Sequence, residues 1–232
     1  MINGVILTPW NRYLNICLIC NNKTNSQSGY KTICDGCLSL LFHPNHNCHM
    51  CGIPLQSGHH QCGQCQNNAP QYSSTSYACS YQSPIDKWVM AFKFSKQIIY
   101  SRLFAETLLP QLSKIDSKYV LVPVPLHPSR LRKRGYNQAY EIAIELVKLT
   151  GRTINTTLRR TKNTQMQAQL KLEQRSQNVK KAFKVIKPLK QKHLILIDDV
   201  MTSGNTLNEC ARTLRQNGAI DVKVMVFARK FL

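Results

Sequence analysis

Acidic residues are scarce in this 232-residue chain: 11 Asp and Glu stand against 31 Lys and Arg, a formal charge of +20 at pH 7. That imbalance exceeds what solubility requires, so a polyanionic partner or a phosphate-bearing ligand is expected; a merely solvated basic surface is the plainer alternative. Long apolar runs are missing too, since nothing approaches the roughly 18 residues of a membrane span, and no membrane insertion is expected. The opening stretch MINGVILTPWNRYLN lacks the basic start and apolar core of an export signal, so the expected location is cytoplasmic. Neither G-x-x-x-x-G-K-[ST] nor G-x-G-x-x-G occurs, which removes the P-loop NTPase and dinucleotide-binding readings. With 43% apolar and 18% charged residues, the chain is not a disordered one.

Charge is also lacking where cysteine is plentiful. Residues 1–80 carry three basic and one acidic residue, whereas Arg130–Lys192 alone hold 17 basic and three acidic ones. Within the poorly charged part, Cys17, Cys20, Cys34, Cys37, Cys48, Cys51, Cys62 and Cys65 form four successive C-x-x-C units. Two residues between thiols let one tight turn present both sulfurs, and two turns complete a tetrahedral S₄ shell, so the pattern predicts two structural zinc ions. Disulfides need an oxidising compartment, and a redox dithiol would sit beside a βαβ pattern that this region lacks. Sequential pairing of the turns is favoured over an interleaved one. His46, His49, His59 and His60 lie among the cysteines and are read as surface residues. The segment is poor in large apolar residues, so metal binding is expected to supply its stability. These features predict a small zinc-ribbon domain over residues 1–70, a polar linker from Gln66 to Ser76, and a second domain over 77–232.

The second domain alternates short apolar runs with helical periodicity, the signature of an α/β fold with a mostly parallel sheet flanked by helices. Val120–Val124 and Val222–Phe227 read as strands, and Leu194–Ile197 as a strand buried on both faces. Ala139, Ile142, Ala143, Leu146 and Leu149 mark one helix closed by Gly151; Leu207, Cys210, Ala211 and Leu214 mark another ended by Gly218. Between strand and helix lies Asp198-Asp199-Val200-Met201-Thr202-Ser203-Gly204-Asn205-Thr206. A loop of small hydroxyl residues opening a helix can aim backbone N–H groups at one phosphate, and the adjacent carboxylates can accept from vicinal hydroxyls. Phosphate at one end and diol at the other describe a ribose 5-phosphate.

The stretch LILIDDVMTSGNT, Leu194–Thr206, resembles the signature of type I phosphoribosyltransferases, which bind phosphoribosyl pyrophosphate (PRPP) with magnesium. Val122–Ala139, VPVPLHPSRLRKRGYNQA, together with Thr164, Gln167, Leu170, Arg175, Asn178 and Phe183 in register, is similar to the ComF family, and the cysteines match that family's double zinc ribbon. The resemblance implies a type I phosphoribosyltransferase-like fold. It places the 5-phosphate on Thr202, Ser203, Gly204, Asn205 and Thr206, the ribose hydroxyls on Asp198 and Asp199, and pyrophosphate on Arg132 and Arg134. Lys93 matches a family lysine in the ligand site, and Thr164, Gln167, Arg175 and Asn178 fall in a hood loop over it. Magnesium would accompany PRPP, with Asp198, Asp199, Arg132 and Arg134 serving displacement of pyrophosphate onto an acceptor that the sequence does not name. The likeness further implies a competence role in natural transformation, at the inner face of the cytoplasmic membrane. Incoming single-stranded DNA would meet the basic tract, and a competence helicase and recombination mediators would be partners. A metabolic phosphoribosyltransferase or a PRPP sensor with no DNA role is the competing expectation.

Overall fold

The apolar runs of the C-terminal half line up in parallel. In the computed structural model, which describes residues 16–24, 29–44, 46–163 and 179–231, four strands form one sheet. These are β1 (Ser74–Ser80), β2 (Val120–Pro123), β5 (His193–Met201) and β6 (Asp221–Arg229), in the order β1-β6-β5-β2 with every neighbouring pair parallel. A short antiparallel pair, β3 (Leu158–Arg160) and β4 (Phe183–Val185), lies outside it. Leu194, Ile195, Leu196 and Ile197 are wholly inaccessible, as a central parallel strand covered on both faces requires.

Pleating sorts these residues to two sides. Leu194 and Leu196 join Val222, Val224 and Val226 in a core with Leu207, Cys210, Ala211 and Leu214 of helix α7 (Asn205–Gln216). On the other face, Phe227 stacks on Phe104 of α4 (Tyr100–Leu112) with centroids 3.6 Å apart. Phe92 of α3 (Ile85–Phe94) meets Phe104 edge-on there, and α6 (Gln138–Thr150) packs on β5 and β2. Helix α6 starts after Asn137, whose side chain accepts from Ala139 N–H, and stops, as its sequence predicts, at Gly151 in a left-handed conformation. Helix α7 ends one residue sooner than expected, with Asn217 rather than Gly218 at its C-cap.

The described residues fall into two compact units divided between Phe42 and His43. The first contains the Ile16–Lys23 bridge and the single turn α1 (Asp35–Leu38). The second contains the sheet and also the turn around Asn47–Pro54 with α2 (Gly63–Asn67). Thr75 in β1 explains why: its N–H donates to His49 O at 3.0 Å and its Oγ1 to Met50 O at 2.5 Å, so the Cys48–Cys65 stretch is bonded to the sheet edge. The polar run expected as a linker is correspondingly shorter. Gln66 and Asn67 belong to α2, and Ser74–Ser76 already pair with β6, because the backbone hydrogen bonds of a sheet edge outweigh a turn-like composition.

Candidate functional site

The cysteines assemble sequentially. Sγ atoms of Cys17, Cys20, Cys34 and Cys37 all lie within 4.8 Å of one another, and so do those of Cys48, Cys51, Cys62 and Cys65. Each set offers four soft sulfurs and no water-open position, the donor set of a structural zinc site, so both could hold a zinc ion. The surroundings ready one thiol in each set. Burial raises Cys17, but backbone N–H groups of Cys20, Cys34 and Ile19 outweigh it and bring the thiol down to about 7. Cys48 falls to about 7 in the same way, through Cys51, Cys62 and Met50. Burial and the neighbouring thiols push Cys37 and Cys65 up, so four sulfurs this close cannot all ionise without a cation between them.

The β5–α7 turn is the second site. Strand β5 runs on to Met201, so Asp198 and Asp199 lie within it, and Asp198 pairs in register with Val226. Successive strand residues face opposite sides, which separates the two acids. Asp198 lines an open hollow with Met201, Thr202, Gly204 and Thr206. Burial and the charge of Asp199 push its carboxyl up to about 7. Asp199 points the other way, where Lys93 Nζ meets its Oδ1 at 3.0 Å. Asp199 is 5% exposed, so Lys93→Met strands a buried charge and is expected to cost about 3 kcal/mol. Urea denaturation of Lys93→Met against the Lys93→Met, Asp199→Asn double variant checks this, since the double variant recovers most of the loss.

The turn itself has the geometry of an anion cradle. Gly204 caps α7 at φ +78°, and a Cβ there would stand 2.7 Å from Met201 Cε and 3.2 Å from the Tyr72 hydroxyl. Met201 Cε can swing aside, but the left-handed backbone cannot be relieved so easily. Gly204→Ala is expected to lose about 1–2 kcal/mol in a denaturation curve, and Gly204→Val more. Ser203 Oγ is buried and has no hydrogen-bond partner among the described residues, an orphaned hydroxyl at the mouth of a helix N-terminus.

Arginines complete the surroundings, and they include Arg134, which the sequence singled out, together with two that it did not. On α5 (Pro128–Arg134), Arg130 and Arg134 are four residues apart and share a face, while Arg132 projects about 200° round the helix and is exposed. Arg130 is drawn down to about 10 by burial and by the like charges of Arg160 and Arg134. Burial also lowers Arg160, with Cys210 and Asp198 acting against it, so its guanidinium lies within the field of the Asp198 carboxylate. Arg134 donates to Gln138 Oε1 at 2.9 Å and stands over the Phe94 ring. Arg130 was legible in helical periodicity; Arg160, far off in β3, had no local signal. Thr164, Gln167, Arg175 and Asn178 lie outside the described residues.

A parallel sheet flanked by helices, with a glycine-hinged hydroxyl turn after a strand that carries two adjacent acids, defines a phosphoribosyltransferase-type domain. The family model described as the phosphoribosyl transferase domain matches residues 131–231. Over 209 residues the chain is 31% identical to "Competence protein F" of Haemophilus influenzae, covering 85% of this chain and 90% of that protein. It is 28% identical over 208 residues to "DNA utilization protein YhgH" of Escherichia coli strain K12, covering 87% and 92%. With "Competence protein ComFC" of Bacillus subtilis it shares 27% over 221 residues, covering 88% and 90%. The chain belongs to the ComF family. Among the described residues, no helix is long and apolar enough to cross a membrane.

Proposed function

We propose that the protein binds PRPP as its magnesium complex at the β5–α7 turn and serves natural transformation, where it handles incoming single-stranded DNA. The open hollow that Asp198, Thr202, Gly204 and Thr206 line at the N-terminus of α7 carries the ligand reading, because the positive helix end and its N–H groups suit an anion there. The 5-phosphate would take the N–H groups and hydroxyls of Thr202–Thr206, and Asp198 would accept from the ribose. Asp199 acts with Lys93 on the opposite face and steadies the strand. Arg130, Arg134 and Arg160 supply the positive charge against which pyrophosphate would leave the anomeric carbon. Outside the two cysteine sets, no cluster of three His, Cys, Asp or Glu ligands occurs among the described residues, so magnesium enters as the substrate's counter-ion.

The DNA reading draws on the β3–β4 pair. Arg159 and Lys184 stand directly opposite across it, both exposed, an arrangement that costs about 0.2–1 kcal/mol by itself. Exposed Lys162, Lys180, Lys181, Lys187 and Lys190 extend the same charge. Tyr136 and Phe183 are buried, which leaves Tyr140 as the one exposed aromatic of the three that interleave the tract, so binding would track phosphates with little base preference. The names of the Haemophilus and Bacillus relatives support the competence role, and a helicase and a recombination mediator are the partners the family implies.

Calorimetry with Mg·PRPP tests the site, and fluorescence anisotropy with single-stranded oligonucleotides at two salt concentrations tests the DNA surface. Saturable PRPP binding and salt-weakened oligonucleotide binding are expected. A thermally silent titration ends the ligand reading. PRPP binding with no oligonucleotide binding at low salt favours a metabolic enzyme or a sensor instead.

A further inference from the structure

Arg229 closes β6 and is 4% exposed, yet among the described residues it forms no ion pair with a carboxylate. Its guanidinium is spent on carbonyls. Nε donates to Cys51 O at 2.8 Å, and Nη1 donates to Met201 O at 3.2 Å and to the carbonyls of Thr202 and Lys230. One end of the fork therefore holds the backbone of a Cys₄ ligand, and the other holds the first two peptides of the phosphate turn. A buried charge is tolerated only when such partners are fixed around it, so the carbonyls cannot drift without leaving Arg229 unsatisfied.

Peptide planarity gives this clamp a direction. In a trans peptide the C=O and the following N–H point to opposite sides. Drawing Met201 O and Thr202 O toward Arg229 therefore turns the N–H groups of Thr202 and Ser203 away from it. Those are two of the donors an anion at the turn would use. Lys230 N–H also donates to Met201 O at 2.9 Å, which holds the first of these peptides from a second side.

We infer that Arg229 is a positioning residue that ties the Cys48–Cys65 module to the phosphate turn, so that an intact module is required for the turn to present its N–H groups. The inference rests on the PRPP reading for its ligand but not for its geometry. Loss of metal would free the Cys51 backbone, release one arm of the guanidinium, and let the Met201 and Thr202 peptides rotate.

The test uses the full-length, metal-loaded protein and compares Arg229→Met, Arg229→Lys and Cys51→Ser with the natural chain. Metal content, amide exchange across 202–206 and Mg·PRPP affinity are the readouts. Arg229→Met is expected to keep its metal, to exchange these amides at least about tenfold faster while β2 and the centre of β5 exchange as before, and to bind Mg·PRPP about tenfold more weakly. Arg229→Lys keeps the charge but reaches fewer carbonyls, so it should fall between. Cys51→Ser should loosen the same amides with Arg229 still in place. A folded Arg229→Met with natural exchange at 202–206 and affinity within about twofold overturns the inference. So does accelerated exchange spread evenly over the sheet, which would mean general support only. If Arg229→Met does not fold, Arg229→Lys decides by the same readouts, and its behaving as the natural chain overturns the inference. Unchanged exchange in Cys51→Ser removes the link to the metal module. Should the natural protein bind no Mg·PRPP, the ligand reading fails and the exchange data alone decide Arg229.

Discussion

Chelation of zinc is expected to unfold residues 16–42 while the parallel sheet stays folded. In the first unit, the buried hydrophobic residues among those described are Cys17, Ile33 and Cys37. Fully burying one isoleucine contributes about 1.5–3 kcal/mol, whereas ordering the backbone costs about 1–2 kcal/mol for every residue. A zinc ion in this Cys₄ set would supply what the core does not, since zinc binding contributes about 10–16 kcal/mol in zinc-finger peptides near neutral pH. The second cysteine set differs. Cys48, Cys62 and Cys65 are buried with Met50, Ile53 and Leu55 around them, and Thr75 and Arg229 bond the segment to the sheet. Its metal loss should loosen it locally. An amide spectrum recorded before and after chelation, alongside a metal count, checks both statements; retained dispersion for 16–42 at zero metal would refute the first.

Asp198→Asn should separate function from stability. The Asp198 carboxyl is pushed from 3.8 up to about 7, so it holds its proton more tightly folded than unfolded. Its contribution favours the folded state at low pH and is lost as pH rises through about 7. Replacing it by the uncharged amide is therefore expected to raise stability at pH 8 by about 1–2 kcal/mol, or on the order of 4 °C in Tm, and to change little at pH 4. Ligand binding should move the other way. An ionised acceptor of ribose hydroxyls contributes about 1.5–3 kcal/mol, so Mg·PRPP affinity should fall about 10- to 150-fold. For the natural protein, affinity should climb as pH passes from 6 to about 8 and the carboxylate forms. Thermal melts at two pH values and calorimetry decide; a variant that is less stable at pH 8, or binds as tightly as the natural chain, contradicts the assignment.

Much of this was readable in one dimension because it is encoded at short range. C-x-x-C spacing fixes which sulfurs one turn can present, and four such turns in sequence became two sequential Cys₄ sets. The all-apolar run at Leu194 declared a strand buried on both faces, and Gly151 declared the end of α6. The hydroxyl loop before α7 carried its own chemistry, since a helix N-terminus and a left-handed glycine are local properties.

What the chain order could not convey is which distant groups face each other. Asp198 and Asp199 are neighbours in sequence, yet the pleat of a strand that runs on to Met201 sends one to the turn and the other to Lys93. The charges of Arg160, in β3, and of Arg134 both act on Arg130, which no spacing rule announces, and Arg132 is exposed on another side of α5. Arg229 lies 178 positions from Cys51, and no spacing rule links them. Read alone, the chain declared three strands of the sheet, two of the helices, the C-x-x-C turns and the hydroxyl loop, because hydrogen bonding and thiol geometry act over a few residues. Which acid faces the turn, which arginines lie near it and which cysteine set is bonded to it followed from sheet order, pleat and helix facing.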